Sequence, residues 1–405
     1  MDRVVLHCDC NSYFASVECI ERPELKAVPM AVCGNPESRH GIILAKNELA
    51  KKYGVQTAET VWQAKRKCPE LTLVAPHHDR YQYYYHLINQ IYSEYTDQVE
   101  AFSIDESWLD VTGSQRLFGD GQKIADELRR RVREELELTI SVGVSFNKVF
   151  AKLGSDYKKP DATTVITREN FREILFPLPV RDMLFVGPSA AEELKRRGIL
   201  TIGDLANTPP DRLHALVGKM GDMLWAYANG LDDSPVRRVG EEDPVKSISN
   251  SITFPRDLVG AEDLKTGFLM LADSVGARMR GQHVEAYTVQ VQIKSPELKV
   301  ISRQETLKSP TASTREIYQT ALRIVERAWD ARRPDRMLSL GCTNFAEPGA
   351  PVQLSLFEQE HDGRHEKQVR LESTVDAIRR RFGAGSIGFG QVMSSDLDGV
   401  PKKKD

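Results

Sequence analysis

The feature that most constrains the fold is a set of short apolar strands and long amphipathic helices within the first 150 residues. Residues 3–10 alternate between apolar and polar side chains, as a half-buried strand does. A strand–turn–strand pattern follows at 99–111 and a further strand at 139–146, while helical patterns occupy 81–95 and 121–136. We expect these strands to form one sheet backed by the two helices, in a ferredoxin-like α+β arrangement.

The rest of the chain divides into further domains, because 405 residues are too many for a single core. Residues 231–245 are polar, contain proline and lack periodicity, as linkers do. Beyond them, helices are predicted at 261–280 and 313–332 and strands at 285–294 and 336–343. The tail has little core-forming content except a predicted helix at 371–382. We expect an α+β multidomain protein with a mixed domain at 1–166, a helical domain at 167–230, a linker at 231–245, an α/β domain at 246–345 and a tail at 346–405.

The composition is typical of a globular protein in water, with 40% hydrophobic and 28% charged residues. No apolar run approaches the roughly 20 residues that a membrane helix needs. The apolar stretch at the N-terminus is interrupted by Asp9 too soon for a signal peptide. We therefore expect a cytoplasmic protein that does not contact a membrane.

The charge distribution leaves room for a nucleic-acid partner. The formal net charge of −3 argues weakly against one, but binding depends on local patches rather than on the whole chain. Residues 246–345 carry 15 Lys and Arg against 11 Asp and Glu, whereas residues 1–166 carry 21 against 24. The basic excess is therefore displaced toward the C-terminal half.

The six cysteines do not predict a disulfide framework, since five fall within the first 68 residues and Cys342 stands alone. Cys8 and Cys10 lie on one face of a predicted strand and are interpreted as small buried apolar residues. A zinc site is disfavoured because no second Cys/His pair has finger-like spacing.

Three acids form the candidate reaction centre. Asp9 ends the first predicted strand, and Asp105 and Glu106 are adjacent in the strand–turn–strand segment. Neighbouring side chains on a regular strand point to opposite faces, so both acids reach one ion only at a turn or bulge. Carboxylates held together repel one another unless a cation neutralises them, and oxygen ligands favour Mg²⁺ or Mn²⁺. The alternative is that these acids are simply solvated in turns.

Three motifs in order resemble the DinB branch of the Y-family DNA polymerases. They are the segment Asp9-Cys10-Asn11-Ser12-Tyr13-Phe14-Ala15-Ser16-Val17-Glu18, the segment Ser103-Ile104-Asp105-Glu106 with Trp108-Leu109-Asp110, and Ser141-Val142-Gly143-Val144-Ser145-Phe146-Asn147-Lys148 with Ala151-Lys152 and Lys159-Pro160. The resemblance extends nearly to Phe357. It implies a right-hand polymerase with a ferredoxin-like palm at 1–166, small fingers inserted at about 18–76, a thumb at 167–230 and a little finger at 246–345.

The resemblance implies a template-directed DNA polymerase that performs low-fidelity translesion synthesis in DNA repair. Asp9, Asp105 and Glu106 would bind two Mg²⁺ ions, with Mn²⁺ able to substitute, and the main-chain carbonyl of Cys10 would be a further ligand. Glu106 would also help to set up the primer 3′-hydroxyl. That group attacks the α-phosphate of a dNTP, and pyrophosphate leaves.

The same resemblance assigns residues to the nucleotide. Phe14 occupies the steric-gate position, where a bulky ring excludes a 2′-hydroxyl, and Tyr13 adjoins it; the alternative is that both rings are core residues at a helix start. Lys159 matches a lysine that contacts the triphosphate, and Lys51 stands where the family usually has arginine, so it lacks the bidentate fork. Glu48 replaces a frequent tyrosine and would repel phosphates, although Lys46 lies near in sequence. Asn11 replaces a frequent Asp, with little expected loss.

Primer–template DNA would be held at two places. The segment Leu184-Phe185-Val186-Gly187, followed by Gly198, is similar to a helix–hairpin–helix, whose backbone N–H groups face a phosphate without base readout. A buried helix turn is the alternative. In the little finger, the candidate phosphate contacts are Lys246, Arg278, Arg280, Lys294 and Arg303, each of which is individually compatible with a solvated surface charge.

The tail contains a candidate partner motif, Gln353-Leu354-Ser355-Leu356-Phe357. Apolar anchors in a polar, Pro-flanked segment indicate docking into a partner's pocket. The pentapeptide resembles the motif that binds the bacterial sliding clamp, and the alternative is a tail that folds back on its own domain. The basic end of segment 368–382 could touch DNA or cap a helix. We expect a monomer.

Two other functions are compatible with parts of the pattern. A non-catalytic accessory protein that binds DNA and the clamp would tolerate Glu48 and Lys51. A nucleotidyl cyclase would use a similar two-metal sheet but would have no use for the helix–hairpin–helix or the clamp motif. The intact carboxylates favour the polymerase.

Overall fold

The computed structural model describes residues 2–36, 41–241, 243–347 and 362–397. The chain forms two compact units, Met1–Glu242 and Asp243–Asp405, and the boundary between them falls inside the predicted linker. Among the described residues, no helix is long and apolar enough to cross a membrane.

The first unit contains eight named strands and a larger set of helices within its described residues. The strands are β1 (Val5–Cys10), β2 (Met30–Cys33), β3 (Ile43–Lys46), β4 (Thr72–Val74), β5 (Val99–Ala101), β6 (Glu106–Asp110), β7 (Ile140–Ser145) and β8 (Thr163–Val165). The helices are α1 (Tyr13–Glu21), α2 (Glu48–Lys52), α3 (Val61–Lys67), α4 (His78–Ser93), α5 (Gln115–Phe118), α6 (Gly121–Leu136), α7 (Lys148–Tyr157), α8 (Phe171–Leu175), α9 (Pro188–Arg196), α10 (Ile202–Asn207), α11 (Pro210–Val217) and α12 (Lys219–Ala228).

A five-stranded sheet with the order β5-β6-β1-β7-β8 organises this unit. β1 lies between β6 and β7 and is antiparallel to both, while β7 and β8 are parallel. Helices α4 and α6 contribute Tyr81, Tyr92, Ile124 and Leu128 to the core that the sheet covers. The strands predicted at 3–10, 99–111 and 139–146 therefore do share one sheet.

Two smaller groups complete the first unit. β2 and β3 join β4 in a second sheet with the order β3-β2-β4. Helices α8 to α12 enclose a separate core that includes Leu194, Leu205 and Leu213. Side chains cap the N-termini of several helices. At the start of α7, for example, Asn147 accepts a hydrogen bond from the Phe150 N–H at 2.7 Å.

The second unit is a four-stranded antiparallel sheet covered by helices. Its elements are β9 (Ser247–Leu258), α13 (Ala261–Gly281), β10 (Ala286–Lys294), β11 (Val300–Thr311), α14 (Thr314–Ala328), β12 (Asp335–Phe345), α15 (Asp362–Phe382) and α16 (Gly390–Met393). The strand order is β11-β10-β12-β9. Phe268 and Leu271 of α13 and Ile317 of α14 pack with the sheet in one core.

The second unit differs from the sequence prediction in two respects. β9 and β11 were not predicted, because they are the edge strands and carry mostly exposed or half-exposed polar side chains. The helix predicted at 371–382 begins instead at Asp362, and the chain after it returns to the core through Leu397, which is 3% exposed. The tail is therefore partly built into this unit.

Candidate active site

Strand register brings the three predicted acids to one end of the central sheet. Asp9 pairs across β1 and β6 with Glu106, the first residue of β6. Asp105 immediately precedes that strand, and its carbonyl accepts a hydrogen bond from the Cys10 N–H at 3.0 Å. Because Asp105 lies in the turn rather than in the strand, it escapes the alternation that would send adjacent side chains to opposite faces.

Two lysines neutralise part of this negative charge. Lys152 Nζ lies 3.1 Å from Asp9 Oδ2 and 2.9 Å from Glu106 Oε2, and Lys159 Nζ lies 2.7 Å from Asp9 Oδ1. Both lysines also contact Asp156, at 3.1 Å and 2.7 Å. Sequence reasoning gave Lys159 a role but none to Lys152 or Asp156. Lys152 and Asp156 are four residues apart on α7, and Lys159 follows three residues later, just after the helix. This spacing places all three on one side of the helix.

The protonation of the acids follows from these contacts. Burial acts to raise the pKa of Glu106, but the hydrogen bond from His7 and the charge of Lys152 outweigh it and lower the pKa to about 2. Burial raises the pKa of Asp105; the hydrogen bond from Ser103 opposes this, and the charges of Asp9 and Glu106 add to it. Asp105 is thus the acid whose charge is least compensated.

The donor set fits a hard divalent cation. His7, Asp9 and Glu106 offer ligand atoms that all lie within 4.8 Å of one another. Asp105 falls outside that group, and Ser103 Oγ donates to its Oδ1 at 2.5 Å. Carboxylate oxygens are the ligands that Mg²⁺ prefers, and a cation beside Asp105 would relieve the repulsion that raises its pKa.

A cleft of about 400 Å³ joins these acids to the other residues assigned to the nucleotide. Its lining combines the carboxylates with the lysines Lys46, Lys51 and Lys159, a combination that suits a metal-bound polyphosphate. The predicted residues that line it are Asp9, Cys10, Tyr13, Phe14, Lys51, Asp105, Glu106 and Lys159.

The two aromatic residues of α1 are held differently. The Phe14 ring stacks on Tyr81 with centroids 4.0 Å apart and an interplanar angle of 10°. The Tyr13 ring is buried, and its hydroxyl donates to the Tyr81 carbonyl at 2.6 Å. Phe14 therefore presents a braced ring to the cleft, while the hydroxyl of Tyr13 is used within the fold.

The departures from the family pattern are accommodated by local partners. Lys51 Nζ lies 2.5 Å from Glu48 Oε1, so the unexpected acid pairs with the unexpected lysine. Lys46 lines the same cleft and donates to Thr57 Oγ1 at 2.8 Å. Asn11 bridges Ser141 Oγ and the Asp161 N–H, which is a structural role that needs no carboxylate.

The thiols near the site are inert. Burial raises the pKa of Cys8 to about 12 and raises that of Cys10 well above its usual value. Both side chains therefore remain neutral and buried, in agreement with the sequence interpretation.

The predicted DNA contacts fall in both units. Gly187 is the N-cap of α9, and Gly198 follows α9 with a φ of 79°, where only glycine is unstrained. In the second unit, Arg280 corrects one expectation: its guanidinium donates to Glu372, Asp376 and the Ala312 carbonyl, so it is not available to a phosphate. The predicted clamp motif, Gln353, Leu354, Ser355, Leu356 and Phe357, lies outside the described residues.

Comparison with known proteins identifies relatives over almost the full length. The profile of the impB/mucB/samB family matches residues 8–156, and that of its C-terminal domain matches residues 245–356. DNA polymerase IV of Acetivibrio thermocellus is 49% identical over 97% of this chain and 98% of its own length. DNA polymerase IV of Alkaliphilus oremlandii is 35% identical over 96% and 98%.

A solved structure is similar in fold. A Y-family DNA polymerase chimera superposes with a TM-score of 0.74, covering 84% of this chain and 98% of its own, at 24% identity. Together with the relatives, this confirms the predicted polymerase and leaves the accessory-protein and cyclase alternatives without support.

Proposed function

The chain belongs to the DinB type of the Y-family DNA polymerases, and from this premise we propose that Asp9, Asp105 and Glu106 form its catalytic centre. The enzyme is a DNA-directed DNA polymerase of the translesion type, and its substrates are primer–template DNA and dNTPs. One observation carries the assignment of the centre: the β1–β6 register sets Asp9 opposite Glu106 with Asp105 beside them, in a cleft that lysines also line.

The family depends on divalent metal, and we propose two Mg²⁺ ions, replaceable by Mn²⁺, held by Asp9, Asp105, Glu106 and the Cys10 carbonyl. Such ions, when bound, stabilise charge on the attacking and leaving oxygens of the phosphoryl transfer. Glu106 is ionised at neutral pH because its pKa is lowered to about 2, so it is ready to orient the primer end. Lys152 contacts both Asp9 and Glu106 and so neutralises part of their charge in the free enzyme.

The cleft would bind the triphosphate through Lys159 and Lys51, with the sugar over Phe14 and Tyr13. The Phe14–Tyr81 stack supports the gate role, because a braced ring cannot move aside for a 2′-hydroxyl. Glu48 shares the Lys51 charge in the free enzyme, so we expect this part of the triphosphate contact to be weaker than an arginine would make it.

DNA would be gripped through phosphates at two surfaces. We assign Gly187 and Gly198 to a thumb contact that reads no bases. In the second unit, proposed as the little finger, the candidates that remain are Lys246, Arg278, Lys294 and Arg303. We further propose that the enzyme acts as a monomer in the cytoplasm, where bacterial DNA lies.

Primer extension with Mg²⁺ tests the catalytic centre. Asp105→Asn and Glu106→Gln should each lower the rate of dNTP incorporation by at least about 100-fold, because each removes several kcal/mol of charge stabilisation. Glu134→Gln, on the outer face of α6, is the matched control and should extend normally. Extension by either site variant at the rate of the control would refute the assignment.

The same assay with ribonucleotides tests the gate. Phe14→Ala should raise ribonucleotide incorporation while dNTP use falls only modestly, since the ring leaves but the metal site stays. An unchanged ratio of the two incorporation rates would remove Phe14 from this role.

Residues 353–357 provide a separate proposal, which rests on the sequence alone. Leu356 and Phe357 would fill an apolar pocket of a bacterial sliding clamp. Substituting both by alanine should abolish co-elution with a purified clamp and leave extension by the isolated enzyme unchanged. Retained co-elution would show that another surface makes the contact.

A further inference from the structure

His7 lies directly beneath the proposed catalytic centre, and none of the assignments above uses it. It sits on β1 two residues before Asp9, so the two side chains share a face of the sheet. Its side chain is completely buried. A buried imidazole with two distinct nitrogens requires a partner for each, and those partners determine what the ring does.

Tight packing of α7 against the sheet fixes the ring on one side. His7 pairs with Gly143 of β7, and a Cβ added to Gly143 would lie 1.9 Å from the Ala151 carbonyl oxygen and 2.5 Å from the Ser155 nitrogen. Only glycine therefore lets α7 approach this closely. The approach brings Ser155 Oγ to 2.8 Å from His7 Nδ1.

On its other side, the ring contacts Trp108 of β6 edge-on, with centroids 5.2 Å apart. The second nitrogen, Nε2, then lies 3.3 Å from Glu106 Oε2. Within the described residues, both of these atoms are buried and neither makes an aligned hydrogen bond, although Lys152 Nζ also lies 2.9 Å from Glu106 Oε2. The imidazole is thus held by Ser155 at Nδ1, while its Nε2 faces the Glu106 carboxylate.

We propose that His7 is a positioning residue, which donates its Nε2–H to Glu106 and fixes the direction in which that carboxylate faces the cleft. The carboxylate selects this tautomer, because an unprotonated Nε2 would set a lone pair against an anion. Nδ1 then accepts from the Ser155 hydroxyl, which turns away from the Lys152 carbonyl that it can also reach at 2.8 Å. The inference rests on the proposed role of Glu106.

Two amide substitutions separate positioning from simple packing. Glutamine can place a donor near the Nε2 position, whereas asparagine can replace only Nδ1. In single-turnover extension, His7→Asn should lower the maximal rate about 10–100-fold, the usual effect of losing a partner that orients a metal ligand, while the Kd for dNTP stays the same. His7→Gln should recover most of that loss although it breaks the Ser155 contact.

If the two variants lost the same fraction of the maximal rate, and this loss followed the fall in their melting temperatures, the ring would be only a packing element. That result would overturn the proposal. Glu106→Gln is measured in the same assay. If this variant extends DNA normally, the proposed catalytic centre is wrong. If it is inactive while the two His7 variants lose activity equally, only the inference about His7 is refuted.

A spectroscopic measurement on the unaltered enzyme keeps the proposal falsifiable if a variant does not fold. The ¹⁵N chemical shifts of the His7 ring should report the neutral Nε2–H tautomer, and Ser155→Ala should reduce its population. The opposite tautomer, with Nδ1–H and a bare Nε2, would overturn the proposal and make Nε2 available as a metal ligand instead.

Discussion

Each unit of the molecule holds carboxylates that are partly or wholly withdrawn from solvent, a group of three in the first unit and Glu372 in the second, and the two sites are satisfied in different ways. In the first unit, Asp9, Asp105 and Glu106 line an open cleft, and lysines pair with Asp9 and Glu106. In the second unit, Glu372 of α15 is 7% exposed and accepts hydrogen bonds from five groups: Arg280 Nη1, Ser313 Oγ, the Thr314 N–H, the Arg315 N–H and Gln368 Nε2.

The difference separates carboxylates that can still accept a ligand from one that only holds the fold together. Ser313, the N-cap of α14, makes no side-chain cap, and Glu372 from α15 binds the orphan N–H groups in its place. Every oxygen of that carboxylate has a donor, so it has nothing left to offer a ligand. Asp105 has a raised pKa and no lysine partner among the described residues, so a cation can still be added there.

The largest expected difference between the two sites is in how much a substitution lowers the stability of the fold. Glu372→Ala leaves Arg280 and the start of α14 without their acceptor and should lower the unfolding free energy of the second unit by about 3 kcal/mol. Hydrogen exchange at the Thr314 and Arg315 amides gives the local readout. Glu262→Gln, an exposed acid on α13, is the control and should change stability by less than about 0.5 kcal/mol.

Glu106→Gln should behave in the opposite manner, with catalysis lost and stability kept. If Glu372→Ala lowered the unfolding free energy as little as the Glu262 control, the contrast would be wrong between a carboxylate whose oxygens all have donors and one that can still bind a cation.

How far the sequence predicts the fold depends on where each strand lies in its sheet. The central strand β1 was predicted from its alternation, but the expected half-burial is wrong: all six of its residues are buried, as are those of its neighbour β7, because both faces of the sheet are covered there. The edge strands β9 and β11 lack that signal, since an edge strand needs few buried side chains and carries polar ones to avoid pairing with other chains.

The sequence predicted which residues form the candidate site, but not the ion pairs that they make. The motifs name Asp9, Asp105 and Glu106, and the structure places them together at one end of the sheet. The ion pairs of Lys152 and Asp156 were not foreseen, because a lysine and an acid four residues apart on a helix are usually a solvated pair. Only the approach of α7 to the sheet turns that pair inward.

A further buried acid, Asp335, sharpens the comparison with a smaller effect. Asp335 begins β12, is completely buried, and accepts from Trp329 Nε1 at 3.0 Å through Oδ2. Its Oδ1 has no hydrogen-bond partner among the described residues. With neither a lysine nor a set of donors to favour the ionised form, burial raises its pKa to about 7.

The consequence is a pH dependence of stability with a definite sign. The folded unit keeps Asp335 protonated where the unfolded chain has lost the proton, so its contribution to stability is complete below about pH 4 and is lost as the pH rises to about 7. Asp335→Asn cannot ionise. Relative to wild type, this variant should therefore gain roughly 2 kcal/mol of unfolding free energy between pH 5 and pH 7.5, as measured by hydrogen exchange at the amides of β12. A difference that stays constant across that range would mean that Asp335 is ionised in the fold, and that burial without a partner does not decide the state of an acid in this protein.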